Sequence, residues 1–92
     1  MPQYLVVHKI TRYFESQDEW VDDWMDLRQR SQSNPSCTWL YSFMDSDEKL
    51  LYCLWEADNE DCIKDCFITE ELEMAPITSM REIVIFDPSW LD

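Results

Sequence analysis

Four cysteines and a single histidine stand out as residues that could do chemistry: Cys37, Cys53, Cys62, Cys66 and His8. Cys62 and Cys66 are four positions apart, a spacing that puts both thiols on one face of a helix. Two thiolates so placed can hold a soft metal with Cys53 or His8 as a further ligand. The competing reading is that they are small hydrophobes packed on a sheet, the usual state of buried free cysteine. The absence of any C-x-x-C spacing favours it. His8 lies mid-strand among apolar neighbours. As a ligand or proton carrier it needs a partner within hydrogen-bonding reach, and otherwise it is a satisfied core residue. Trp39, Tyr41 and Trp55, with His8, are the candidate lining of a pocket for an apolar ligand. The same aromatics serve equally well as sheet and subunit-interface core. Asp61 and Asp65 repeat the four-residue spacing on a neighbouring face and read as solvated.

The frame around these residues is small. Ninety-two residues, 1–92, make one domain, with a modest core that a partner subunit would reinforce. Hydrophobic residues make up 46% of the chain, enough to exclude disorder. The net charge of -13 repels phosphate backbones and anionic headgroups, so neither nucleic acid nor a membrane surface is an expected partner. No apolar run approaches the about 18 residues of a membrane span. The start, MPQYLVVHK, lacks a basic segment and a small-residue cleavage site. Cytoplasmic residence and reduced thiols are the expectation. Glycine is absent altogether, which rules out phosphate-cradling loops built on residues without Cβ.

The positioning elements follow from periodicity. Tyr4 to Thr11 predicts a strand, with Tyr4, Val6, His8 and Ile10 on one face. Ser16 and Glu19 have capping-box spacing. The helix behind them runs to about Gln32, with Trp20, Val21, Trp24 and Leu27 as its apolar stripe. Its early turns are acidic and its end carries Arg28 and Arg30, matching the helix dipole. Cys37–Met44 and Leu50–Ala57 predict a hairpin around the turn Asp45–Glu48. Cys37, Trp39, Tyr41 and Phe43 then share one face, and Leu51, Cys53, Trp55 and Ala57 share one face of the partner strand. Asp58 can cap a second helix over Asn59–Phe67, Thr69–Met74 can add a helical turn, and Met80–Phe86 predicts the last strand.

The order β-α-β-β-α-β is that of an α+β, ferredoxin-like domain: a four-stranded antiparallel sheet with two helices on one face. Both faces of the hairpin are largely apolar, more than one layer of helices can cover. A homodimer closing sheet against sheet, with Trp90 and Leu91 reaching the partner, is the expected solution.

At the level of motifs, MPQYLVVHKI, TWLYSFMDSDEKLLYCLWEADNEDCI, API and REIVIFDP resemble a family of small bacterial proteins of unassigned function, related to nickel-binding or nickel-responsive proteins. The best matches are Tyr4-Leu5-Val6, Trp39, Ser42, Tyr52-Cys53 and Glu56-Ala57. The resemblance implies a ferredoxin-like fold of the dimeric α/β-barrel class. Departures from the family pattern are Val7, where many members have Glu, and Cys66, where His is common. A glycine usual between Phe67 and Met74 is missing. The implied metal is nickel or another divalent ion, and the ligands it suggests here are His8, Cys53 and Cys66. Cys53 and Glu56 fall on opposite faces of a regular strand, so Glu56 drops out first.

Three functions are compatible with this reading. The leading one is a non-enzymatic dimer that binds a divalent metal or a small ligand. The second is a cofactor-free monooxygenase, in which His8 with Trp39 or Trp55 imitates the pocket of other dimeric α/β barrels, an argument from fold alone. The third is an interaction module whose acidic helix faces meet a basic partner.

Overall fold

The computed structural model describes residues 1–11 and 17–92. Its elements are β1 (Gln3–Lys9), α1 (Gln17–Ser33), β2 (Cys37–Asp45), β3 (Leu50–Ala57), α2 (Glu60–Lys64), α3 (Thr69–Met74) and β4 (Ile77–Ile83), followed by a short 3-10 helix over Pro88–Leu91. The Ser16 cap expected for α1 lies outside the described residues, as does the connection over 12–15. The strands form one sheet in the order β2-β3-β1-β4, with β1 antiparallel to both neighbours and β2 antiparallel to β3. This is the ferredoxin-like arrangement expected from the element order.

One face of the sheet is the core. Tyr4, Val6 and His8 of β1 and Leu51, Cys53, Trp55 and Ala57 of β3 are buried there with Trp24 and Leu27 of α1 and Ile63 of α2. The hairpin turn works without glycine. The Asp45 carboxylate accepts from the N–H groups of Asp47 and Glu48 (3.1 and 3.2 Å), and Lys49 takes the left-handed conformation at φ 55.

Helix α2 and strand β4 differ in extent from the sequence reading. Helix α2 is capped by Asn59, which accepts from Cys62 N–H at 3.0 Å, because Asp58 is still tied to the sheet edge through its N–H to Ser36 O. After Lys64 the chain tightens into three-residue bonds, Cys66 N–H to Ile63 O and Phe67 N–H to Lys64 O. Strand β4 spans Ile77–Ile83 rather than Met80–Phe86. A strand extends only as far as its neighbour, and β1 starts at Gln3, opposite Ile83. Val84 and Phe86 therefore project beyond the sheet, with Val84 88% exposed.

A half-buried ion pair joins the two halves of the chain. Arg30 Nη2 donates to Glu71 Oε1, Arg30 Nε donates to Cys66 O at 2.8 Å, and Glu71 also accepts the N–H of Ile68 at 3.0 Å. Glu71→Ala strands both donors. We expect a loss of about 2–3 kcal/mol, below the range for fully buried pairs because Arg30 is partly solvated. Urea unfolding with a lowered midpoint and unchanged slope would show it.

His8 is fully buried, with Nδ1 2.8 Å from Ala75 O. The carbonyl can only accept, so Nδ1 carries the proton. The other nitrogen, Nε2, has no hydrogen-bond partner among the described residues, and the imidazole ring packs with the rings of Trp24 and Phe67, centroids 6.1 and 5.3 Å away. Burial pushes the imidazole below its ordinary value of 6.5, with the Ala75 bond opposing. A folded-state pKa below the unfolded one means that the unfolded chain binds the proton first as pH falls. The stabilisation is therefore whole above about pH 6.5 and is lost as pH drops below it. Urea midpoints taken from about pH 7.5 down to about pH 5.5 should fall more steeply for the wild type than for His8→Phe. Equal slopes would remove this role for His8.

Candidate functional site

The cleft of interest lies beside one irregularity in β2. Trp39 pairs with Trp55 and Tyr41 with Leu54, so Leu40 is an extra residue, a β-bulge. A bulge shifts the side-chain alternation by one. Before it, Cys37 and Trp39 lie on the helix face; after it, Ser42 and Met44 do, opposite Cys53 and Leu51. Tyr41 and Phe43 pass to the open face, opposite Leu54 and Tyr52. The shared face expected for Cys37, Trp39, Tyr41 and Phe43 is therefore split at Leu40.

Beside the bulge lies a cleft of about 350 Å³ lined by Val21, Trp24, Met25 and Arg28 of α1, Trp39, Leu40, Tyr41 and Ser42 of β2, and Leu51 of β3. Its wall is overwhelmingly apolar, with Arg28 the one charged lining residue among those described. Trp39 is locked in place. Its Nε1–H donates to Ser42 Oγ at 2.8 Å, and Ser42 Oγ donates to Cys53 Sγ at 3.0 Å. The Trp39 ring stacks on Trp55 (6.1 Å, 15° between planes) and meets Trp24 edge-on at 6.4 Å. A rigid aromatic floor of this kind needs no reordering when a flat apolar molecule settles on it.

Of the four residues expected to line a pocket, Trp39 and Tyr41 do so. Trp55 and His8 are fully buried behind Trp39 and Trp24 and do not line the cleft. The His8 ring is thus one layer away from any molecule bound there, and its accepting nitrogen points into apolar packing. The other lining residues, Val21, Trp24, Met25 and Arg28 of α1 with Leu40, Ser42 and Leu51 of the hairpin, were not expected at a pocket. Trp24 and Val21 had been placed on the apolar stripe, but a stripe does not reveal that part of it stays uncovered.

The three residues suggested as metal ligands are held apart by separate bonds. His8 is bound to Ala75 O, Cys53 to Ser42, and Cys66 to Cys37, with Sγ–Sγ 2.8 Å. Among the described residues, no three His, Cys, Asp or Glu side chains form a group that could hold a metal ion. Burial also pushes the thiols of Cys53 and Cys37 up to about 12, which opposes the thiolate that a metal requires. These residues do not fit a nickel centre as they stand. No described helix is long and apolar enough to cross a membrane.

Comparison with known proteins gives the fold and family. The crystal structure of SCO4226 from Streptomyces coelicolor A3(2) superposes with a TM-score of 0.65 at 12% identity, covering 92% of this chain and 99% of that one. The structural-genomics protein YJCS superposes with a TM-score of 0.60 at 17% identity, covering 94% of this chain and all of its own. At such identities the likeness is one of fold. No curated protein matches the chain. The model of the family described as nickel responsive protein SCO4226-like matches residues 4–80, from the first core residue of β1 to the middle of β4, and the chain therefore belongs to that family.

Proposed function

We propose that the protein is a non-enzymatic small-molecule binder whose site is the cleft between α1 and β2. The carrying observation is the combination of an apolar, preformed aromatic wall with a single cation. The ligand that suits it is a flat, mostly apolar molecule with one carboxylate-like end. Its ring lies on Trp39 between Met25 and Trp24, and its anionic end meets Arg28. A single guanidinium offsets, locally, the chain's negative field. Titration with a panel of aromatic carboxylates and their neutral amides, followed by tryptophan fluorescence, tests this reading. Trp39→Ala should weaken binding by about tenfold or more. Arg28→Gln should erase the preference for carboxylate over amide. Equal affinity for both in the wild type would discard the anionic end.

The functional unit in this reading is a homodimer closed through the open sheet face. Rows of side chains cross that face: Tyr41, Leu54 and Leu5, then Phe43, Tyr52 and Val7. Phe43 and Tyr52 stack at 5.2 Å and Phe43 is 51% exposed. Trp90 and Leu91, 66% and 73% exposed, extend the apolar surface at the C-terminus. Light scattering should give twice the 11.2 kDa chain mass, and Phe43→Glu should return it to one chain. A monomeric wild type at micromolar concentration would end the dimer reading.

Nickel comes to this chain through its family alone. Calorimetric titration of the reduced, tag-free protein with Ni²⁺ is the test. Since His8, Cys53 and Cys66 do not converge, His8→Gln and Cys66→Ser should leave the isotherm unchanged. A lost isotherm in either variant would restore those ligands.

A further inference from the structure

The thiols of Cys37 and Cys66 take no part in the cleft. Cys37 opens β2, and Cys66 lies just past the end of α2. Both are buried, and their sulfurs are 2.8 Å apart, well inside the contact distance of two nonbonded sulfur atoms. Both thiols also approach a single acceptor, the carbonyl of Cys62, at 3.7 Å from Cys37 and 3.4 Å from Cys66. The Asn34 amide donates to Cys66 Sγ at 3.6 Å. The backbone on either side is fixed: Asp58 N–H bonds Ser36 O beside Cys37, and Arg30 holds the Cys66 carbonyl. Two sulfurs pressed together by rigid elements need little movement to bond, which is the geometric condition most cysteine pairs fail.

We propose that Cys37 and Cys66 form a reversible intrachain disulfide, with hydrogen peroxide as the oxidant. The Cys66 sulfur attacks one peroxide oxygen. The O–O bond breaks, and the departing oxygen takes up the thiol proton and leaves as water, giving a sulfenic acid at Cys66. The Cys37 sulfur then attacks that sulfenic sulfur, and its own proton leaves with the displaced hydroxyl as a second water. Two S–H bonds and one O–O bond are lost and one S–S bond is formed; the sulfurs are oxidised and the peroxide is reduced. Cys66 is the attacking residue because the Asn34 amide donates to its sulfur and positions it. Burial holds the Cys37 thiol protonated, up to about 12, which suits the resolving role. The bridge fastens the first residue of β2 to the segment after α2, across a loop that spans the whole hairpin.

The experiment is a thiol map. Reduced protein is treated with one equivalent of peroxide, denatured, alkylated and digested without reductant. We expect two of the four thiols to be lost, a Cys37–Cys66 linked peptide within one chain, and full reversal by dithiothreitol. The urea midpoint should rise on oxidation and return on reduction. Cys37→Ser should leave a sulfenic acid on Cys66 that dimedone captures. Cys62→Ser keeps both sulfurs and should still form the bridge, which guards against a Cys37 variant that fails to fold. A bridge through Cys62 or Cys53, sulfinic acids without the linked peptide, or four thiols surviving a dose that oxidises free cysteine would each overturn the proposal.

Discussion

One hydrogen bond sets the geometry of the core: the His8 ring to the carbonyl of Ala75. β1 is one of the two central strands, paired with β3 on one side and with β4 on the other. His8 is the polar member of its inward face. A buried imidazole must be answered from within the protein, and the answer comes from the residue that joins α3 to β4. That bond fixes where the last strand enters the sheet. It also fixes the tautomer, in a ring that packs with Trp24 and Phe67. The residue with the most obvious chemical potential is thereby committed to structure.

From His8 the aromatic packing runs outward through Trp24 to Trp39, and Trp55 and Phe67 fill the layer beneath. The cleft is the outer end of this stack. Its floor is rigid because the core supports it and because Ser42 holds the Trp39 indole. Its opening lies beside the bulge at Leu40, itself a lining residue. Core and site are therefore one continuous aromatic body, and a change at His8 or Phe67 reaches the cleft through packing rather than through charge.

How much of this was legible in the sequence depends on the range of the interaction. β2 and β3 were placed almost to the residue, since alternation and an acidic turn are local signals. β4 was displaced by three residues because its limits belong to β1, its partner. The bulge at Leu40 was not legible: the run from Trp39 to Phe43 reads as regular alternation, and only pairing with β3 shows the extra residue. It moved Tyr41 to a different face from Trp39. The candidate ligands His8 and Cys53 share a sheet face and Cys66 lies past the end of α2, yet sharing a face says nothing of separation along it. Conversely, Cys37 was counted among the thiols but given no partner, although the fold sets it against Cys66. Nothing in the spacing of residues in different elements announces such a meeting.

The bulges carry a further consequence for how copies of this chain can associate. β2 and β4 are the two outer strands, and each holds one extra residue, Leu40 in β2 and Thr78 in β4. An even outer strand is a template on which another chain can add, strand upon strand, into an open-ended fibre. Here the row of free N–H and C=O groups is broken on both sides of the sheet. In a small domain with so much apolar surface, growth at the edges is frustrated by backbone geometry. The dimer proposed above uses the broad face instead, where contact face to face closes on itself rather than propagating.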